Sequence, residues 1–167
     1  MSSSSPEPLF DVRFLDHTAD VGIEVEAPSL QRLLEGAAEG MTRLILGDAR
    51  PLEEEERIVE AEGSDAALLM RNLLRELLFQ HEARGFALAR CRIEDLILPE
   101  SEGEGAGGDG RSQSREPLYR VRCRAVGGGD PGPPDRELKG VTLHGLVAER
   151  REGDGGARWF ARVIFDV

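Results

Sequence analysis

Between Val21 and Ala27 the chain alternates Val21, Ile23 and Val25 with Gly22, Glu24 and Glu26. A period of two held over seven residues specifies a half-buried strand. A strand of this kind needs a second layer over its apolar face. The residues on either side supply candidates for its neighbours. Phe10 to Leu15 is short and partly apolar, and DHTAD at residues 16–20 separates it from the alternating run. That arrangement predicts a turn or bend between two strands, with carboxylates pointing away from the core.

The covering layer comes from two amphipathic segments. Leu30, Leu33, Leu34, Ala37, Ala38, Met41, Leu44 and Ile45 follow helical spacing, with Ser29 placed to cap the start and Gly47 to end it. A second helix is expected from a Ser64 or Asp65 cap through Leu68, Leu69, Leu73, Leu74, Leu77 and Leu78 to a stop at Gly85. Between them, Glu53 to Glu56 reads as a solvated charge run and Arg57 to Ala61 as a short edge strand. Beyond the second helix, residues 86–98, 118–126, 141–150 and 159–167 read as further strands. The resulting expectation is an α+β fold, a mainly antiparallel sheet packed against two amphipathic helices, in a single compact domain.

Two segments interrupt this pattern. Residues 101–116 are rich in Gly, Ser and charge, and residues 127–136 read GGGDPGPPDR. Neither can bury enough apolar surface to offset the entropy of ordering itself, so both are expected to be mobile inserted loops. Residues 1–8 read as a disordered lead, without the basic and apolar regions of a signal peptide.

A chain of 167 residues can bury a sizeable core without disulfides or structural metal. The formal net charge of -11 excludes nucleic-acid binding through the overall field, because phosphate neutralisation requires clustered Lys and Arg. RNA would then be reached only through a protein partner. Cys91 and Cys123 have no CxxC spacing and read as two buried thiols of a reducing compartment, and no apolar run is long enough to span a bilayer. A cytoplasmic location is expected.

The residues that could carry chemistry are few. Asp20 follows the expected turn and Asp166 lies beside Val167 at the other end of the sequence. Hard cations take carboxylate, carbonyl and water oxygens without fixed spacing, so Asp20, Asp166 and an α-carboxylate on Val167 could hold one; two ordinary solvated aspartates are the plainer reading. His17 and His144 could join Asp16 and Asp20 in a hydrolytic metal site, although two histidines without a third soft ligand make a poor one. His17 could equally hold the turn, His144 could be an ordinary strand residue, and His81 reads as a helix-end residue. Lys139 is the sole lysine among 21 basic side chains, which suits either a need for a compact point charge or chance. Glu76 falls at the edge of the second helix's Leu stripe, where it would be solvated, partner-facing or supporting a metal. No P-loop, GxGxxG, GxSxG or HExxH is present.

DHTADVGI at residues 16–23, LLRELL at 73–78, KGVTLH at 139–144 and the closing VIFDV at 163–167 together resemble archease. The likeness runs from about Phe10 to Val167, apart from the two Gly-rich segments. It implies a non-catalytic activator of the GTP-dependent tRNA-splicing ligase, acting in tRNA processing by promoting guanylylation of the ligase's active-site histidine and multiple turnover. It also implies a divalent cation, typically Ca2+ with Mg2+ or Mn2+ possible, at Asp20 and Asp166 with Val167 supplying a terminal oxygen. Lys139 and Glu76 fall at positions the family tends to keep, and with His17 and His144 they are the expected partner contacts. The chain departs from the family at Leu73, where an aromatic is usual, at Arg75, where Asn is usual, and at Leu143, where Tyr is usual. The changes at Leu73 and Leu143 read as packing changes. The alternatives are a metal-dependent phosphoesterase built on Asp16, His17, Asp20 and His144, and a general chaperone or binding module.

Overall fold

The computed structural model describes residues 9–17, 20–99, 118–129 and 132–167. The expected alternation of residues 21–27 is realised in β2 (Asp20–Ala27), which forms an antiparallel pair with β1 (Asp11–His17). Ile23, Val25 and Ala27 join the core. Glu24 and Glu26 alternate to the other face. Only residues 18 and 19 separate the two strands, so Asp16, His17 and Asp20 belong to strands and not to an extended bend.

Helix α1 (Leu30–Leu46) begins where expected, with the Ser29 hydroxyl accepting the backbone N–H of Arg32 at 3.2 Å. Its C-terminal cap is Gly47. Strand β3 (Glu55–Gly63) takes in part of the Glu53–Glu56 charge run and extends beyond the short edge strand expected there. Helix α2 (Ala66–Arg84) is capped by Asp65, whose carboxylate accepts the N–H of Leu68 at 2.8 Å, and stops at Gly85 in the left-handed region. Leu69, Met70, Leu73, Leu74, Leu77 and Leu78 are all buried. Leu73 is therefore a core position.

Strands β4 (Ala87–Ile97), β5 (Tyr119–Gly128), β6 (Gly140–Val141), β7 (Val147–Gly153) and β8 (Gly156–Asp166) complete the chain. They make two antiparallel sheets. One has the order β1-β2-β8-β6, with β7 also paired to β8; the other has the order β3-β5-β4. Helix α1 packs on both β2 and β4, and α2 packs on β3, so a single apolar cluster draws on both sheets. Burial of these side chains supplies the main driving force for the arrangement.

Three sequence expectations are corrected here. Residues 141–150 do not form one strand: Gly145, at φ +62°, turns the chain between β6 and β7, so His144 sits in a turn. Leu143 is 60% exposed in the same turn, so it is a surface position and not the packing position expected. Strand β5 continues through the buried Gly127 and Gly128, where added Cβ atoms would meet the backbone of Ala87 and of Leu52, so the second expected insertion starts inside a strand. Residues 1–8 and 101–116 lie outside the described residues.

The core contains one charged side chain among the described residues. Glu35, 5% exposed, accepts the backbone N–H of Ile93 at 3.0 Å and pairs with Arg32 at 2.7 Å. It ties α1 to β4 at the point where the β4–β5 register shifts between Ile93 and Asp95. A buried carboxylate is tolerated because its oxygens are hydrogen-bonded.

Candidate carboxylate edge

Strand register brings the two ends of the sequence together. His17 pairs with Asp20 between β1 and β2, Val21 pairs with Phe165 between β2 and β8, and Gly140 pairs with Asp166 between β8 and β6. One further step of the β2–β8 register places Asp20 beside Asp166. Val21 and Phe165 are buried, whereas Asp20 and Asp166 are exposed. By strand alternation the two aspartates then share the face turned away from the core. Lys139 precedes β6, and its backbone N–H donates to the carbonyl of Asp166 at 2.7 Å.

The next row toward the sheet interior is closely packed. A Cβ on Gly22 would lie 2.6 Å from the carbonyl oxygen of Val163 and 2.7 Å from Cδ1 of Ile164, so the VGI of the motif requires glycine at its centre. Thr142 holds the following segment down, its N–H and its hydroxyl both donating to the Ile164 carbonyl at 3.0 and 2.9 Å. The Gly145 turn passes 3.7 Å from Ile164 as measured from an added Cβ, which sets Leu143 and His144 beside this face.

One carboxylate of this face is matched by neighbouring strands. Glu24 lies between Arg13 of β1 and Arg162 of β8, with Arg162 donating at 2.8 Å. The Arg162 guanidinium, helped by Arg13, holds the Glu24 carboxyl below its ordinary value against the opposing effect of burial. Among the described residues neither Asp20 nor Asp166 forms a side-chain hydrogen bond or ion pair. Adjacent like charges on paired strands are unfavourable without a compensating cation.

No cluster of three or more His, Cys, Asp or Glu side chains able to hold a metal occurs among the described residues. The two aspartates are hard oxygen donors suited to Ca2+ or Mg2+, with a main-chain oxygen of Val167 adjacent, but such ions require more oxygens than this pair supplies. The arrangement fits a cation whose remaining ligands are water or a partner's groups.

The other expected residues are distributed differently. Asp16 pairs with Val21, which by alternation puts it on the opposite face from Asp20, and its carboxylate lies 3.9 Å from Arg136. The four-residue phosphoesterase set is thus split between two faces. Glu76 is exposed on α2 and lines a groove with Glu60, Glu62, Asn72, Arg75 and Phe79, none of which belongs to the carboxylate edge. His17 enters only through its backbone pairing, since its side chain lies outside the described residues. Sequence reasoning missed Gly22, Ile164 and Thr142 as the elements that shape the face; the signal was the VGI and VTL runs, read only as strand.

These features define a small α+β domain with an open acidic edge at the end of a central strand pair. The sequence matches the Archease protein family (MTH1598/TM1083) over residues 12–167. It is 31% identical to Protein archease of Methanopyrus kandleri over 159 residues, covering 92% of this chain and 96% of that protein. Protein archease of Archaeoglobus fulgidus is 32% identical over 140 residues, with coverage of 84% and 90%. The solution structure of protein 1598 of Methanobacterium thermoautotrophicum superposes with a TM-score of 0.63 at 25% identity, covering 93% of this chain and 98% of that one. The chain belongs to the archease family. No helix among the described residues is long and apolar enough to cross a membrane.

Proposed function

We propose that this protein is a non-catalytic activator of a GTP-dependent tRNA-splicing ligase, promoting the ligase's guanylylation from the edge formed by Asp20 and Asp166. The observation that carries the reading is the adjacency of these two exposed carboxylates, without an ion-pair partner among the described residues, on a face where Glu24 is matched by Arg13 and Arg162. Asp20 and Asp166, with a main-chain oxygen of Val167, would hold a divalent cation. Once bound, such an ion supplies charge neutralisation at a triphosphate. The chain's own residues position that edge. Lys139 is exposed and fixed to Asp166 through the main chain, while Leu143 and Val167 offer exposed apolar contact at the rim. The net charge of -11 complements a basic, RNA-binding partner, which would steer association.

The test is transfer of label from radiolabelled GTP to the ligase of the same organism, with substoichiometric protein. Acceleration by the wild-type chain, lost in folded Asp20→Ala and Asp166→Ala variants, supports the reading. Absence of any wild-type effect overturns it, and wild-type activity retained in both variants overturns the assigned edge.

A further inference from the structure

The two cysteines lie outside the carboxylate edge, on the other sheet. Cys91 pairs with Ala125 and Cys123 pairs with Ile93, so they occupy diagonal positions on the adjacent strands β4 and β5. Their Sγ atoms are 2.6 Å apart. Cys123 is fully buried, while Cys91 is half-buried and packs against the core. The protein has no other cysteine, so each thiol has one intramolecular partner.

We propose that Cys91 and Cys123 are an oxidation site, converted by peroxide to a reversible disulfide between β4 and β5. Cys91 is the more exposed member and reacts first. Its sulfur, as thiolate, attacks one oxygen of hydrogen peroxide and the O–O bond breaks. The departing hydroxide takes up the thiol proton as water and leaves a sulfenic acid on Cys91. The Cys123 sulfur then attacks that sulfur, and hydroxide leaves and carries off the second thiol proton as water. Two thiols lose two electrons, and one peroxide is reduced to two waters. Contact between the sulfurs makes the second step effectively unimolecular, so ring closure outruns further oxidation. Burial of Cys123 keeps that sulfur from a second chain, which directs the product to the intramolecular bond. The hydrogen bond with Cys123, burial and the nearby Glu35 carboxylate raise the Cys91 thiol well above its ordinary value, so the pair resists mild oxidants at neutral pH.

The experiment is intact-mass spectrometry of the full chain after hydrogen peroxide, with iodoacetamide added under denaturing conditions, alongside a thermal melt. The expected product is lighter by about 2 Da, takes up no iodoacetamide and reverts with dithiothreitol. Closing the loop between the two strands should raise its melting midpoint by on the order of 5–10 °C. Cys123→Ser, with Cys91 alone, should instead gain about 16 or 32 Da. A wild-type chain that accumulates oxygen adducts located on its cysteines by peptide mapping, or linked dimers, or that keeps both thiols alkylatable, overturns the proposal.

Discussion

The backbone N–H of Lys139 donates to the carbonyl of Asp166, so the sole lysine is anchored to the same residue whose carboxylate stands beside Asp20. The anchor is main chain, and among the described residues the Lys139 side chain forms no hydrogen bond or ion pair. Lys139→Ala should change stability by less than about 0.5 kcal/mol in a denaturant melt. It should nevertheless reduce stimulation of ligase labelling, which separates a contact role from a folding role.

The two aspartates, which have no ion-pair partner among the described residues, predict opposite effects of one substitution. Asp20→Asn removes a like-charge neighbour and should stabilise the chelator-treated chain by roughly 0.2–1 kcal/mol. The same change should weaken stabilisation by added calcium. Melts with chelator and with calcium check both signs; destabilisation in chelator would show that the carboxylate has a structural partner.

Gly22 lies against the Val163 carbonyl and Ile164 across the β2–β8 pair. Gly22→Ala places a methyl against the Val163 carbonyl and Ile164, and overpacking of this kind costs about 1–3 kcal/mol. Equilibrium unfolding measures the loss. Since Asp20 is only two residues away, ligase stimulation should fall in parallel.

Glu24 sets an acid limit. Its folded-state pKa is depressed chiefly by Arg162, so its stabilising contribution is complete above the ordinary value of 4.5. That contribution is lost as the pH falls below 4.5 through the folded-state value. Glu24→Gln should be less stable at neutral pH and should flatten the loss of stability in this acid window, as read from urea melts across pH.

Glu35→Ala leaves the buried N–H of Ile93 without its acceptor and should cost about 1–3 kcal/mol. Glu35→Gln keeps an oxygen in place and should cost less. The comparison, made by thermal melts, isolates the hydrogen bond from the helix packing around it.

Local signals in the sequence were good guides to the helices and poor guides to sheet membership. Ser29, Asp65, Gly47 and Gly85 mark the helix ends because capping is decided within a few residues. Alternation likewise marked β2. The division into two sheets was not legible, because which strands pair depends on contacts between distant segments such as β3 with β5 and β2 with β8. The split of residues 141–150 depends on a single glycine, whose positive φ is not implied by its neighbours. Asp20 and Asp166 were recognisable as carboxylates flanking strands, and their resemblance to a family motif linked them. That they share a face, and that Asp16 does not, needed the register. The thiol contact was hidden for the same reason, since two cysteines on separate strands carry no spacing signal.

Strand β8 lies between β2 on one side and β6 and β7 on the other, and Asp166 is its last residue. During synthesis, Asp20 emerges early and Asp166 after every other described strand has been made. Until β8 inserts, β2 has one bare edge and the acidic pair does not exist. The edge proposed to hold a cation or meet a partner is therefore completed late, as the last strand closes the sheet. A chain stalled or clipped before β8 lacks Asp166 and so cannot form the acidic pair.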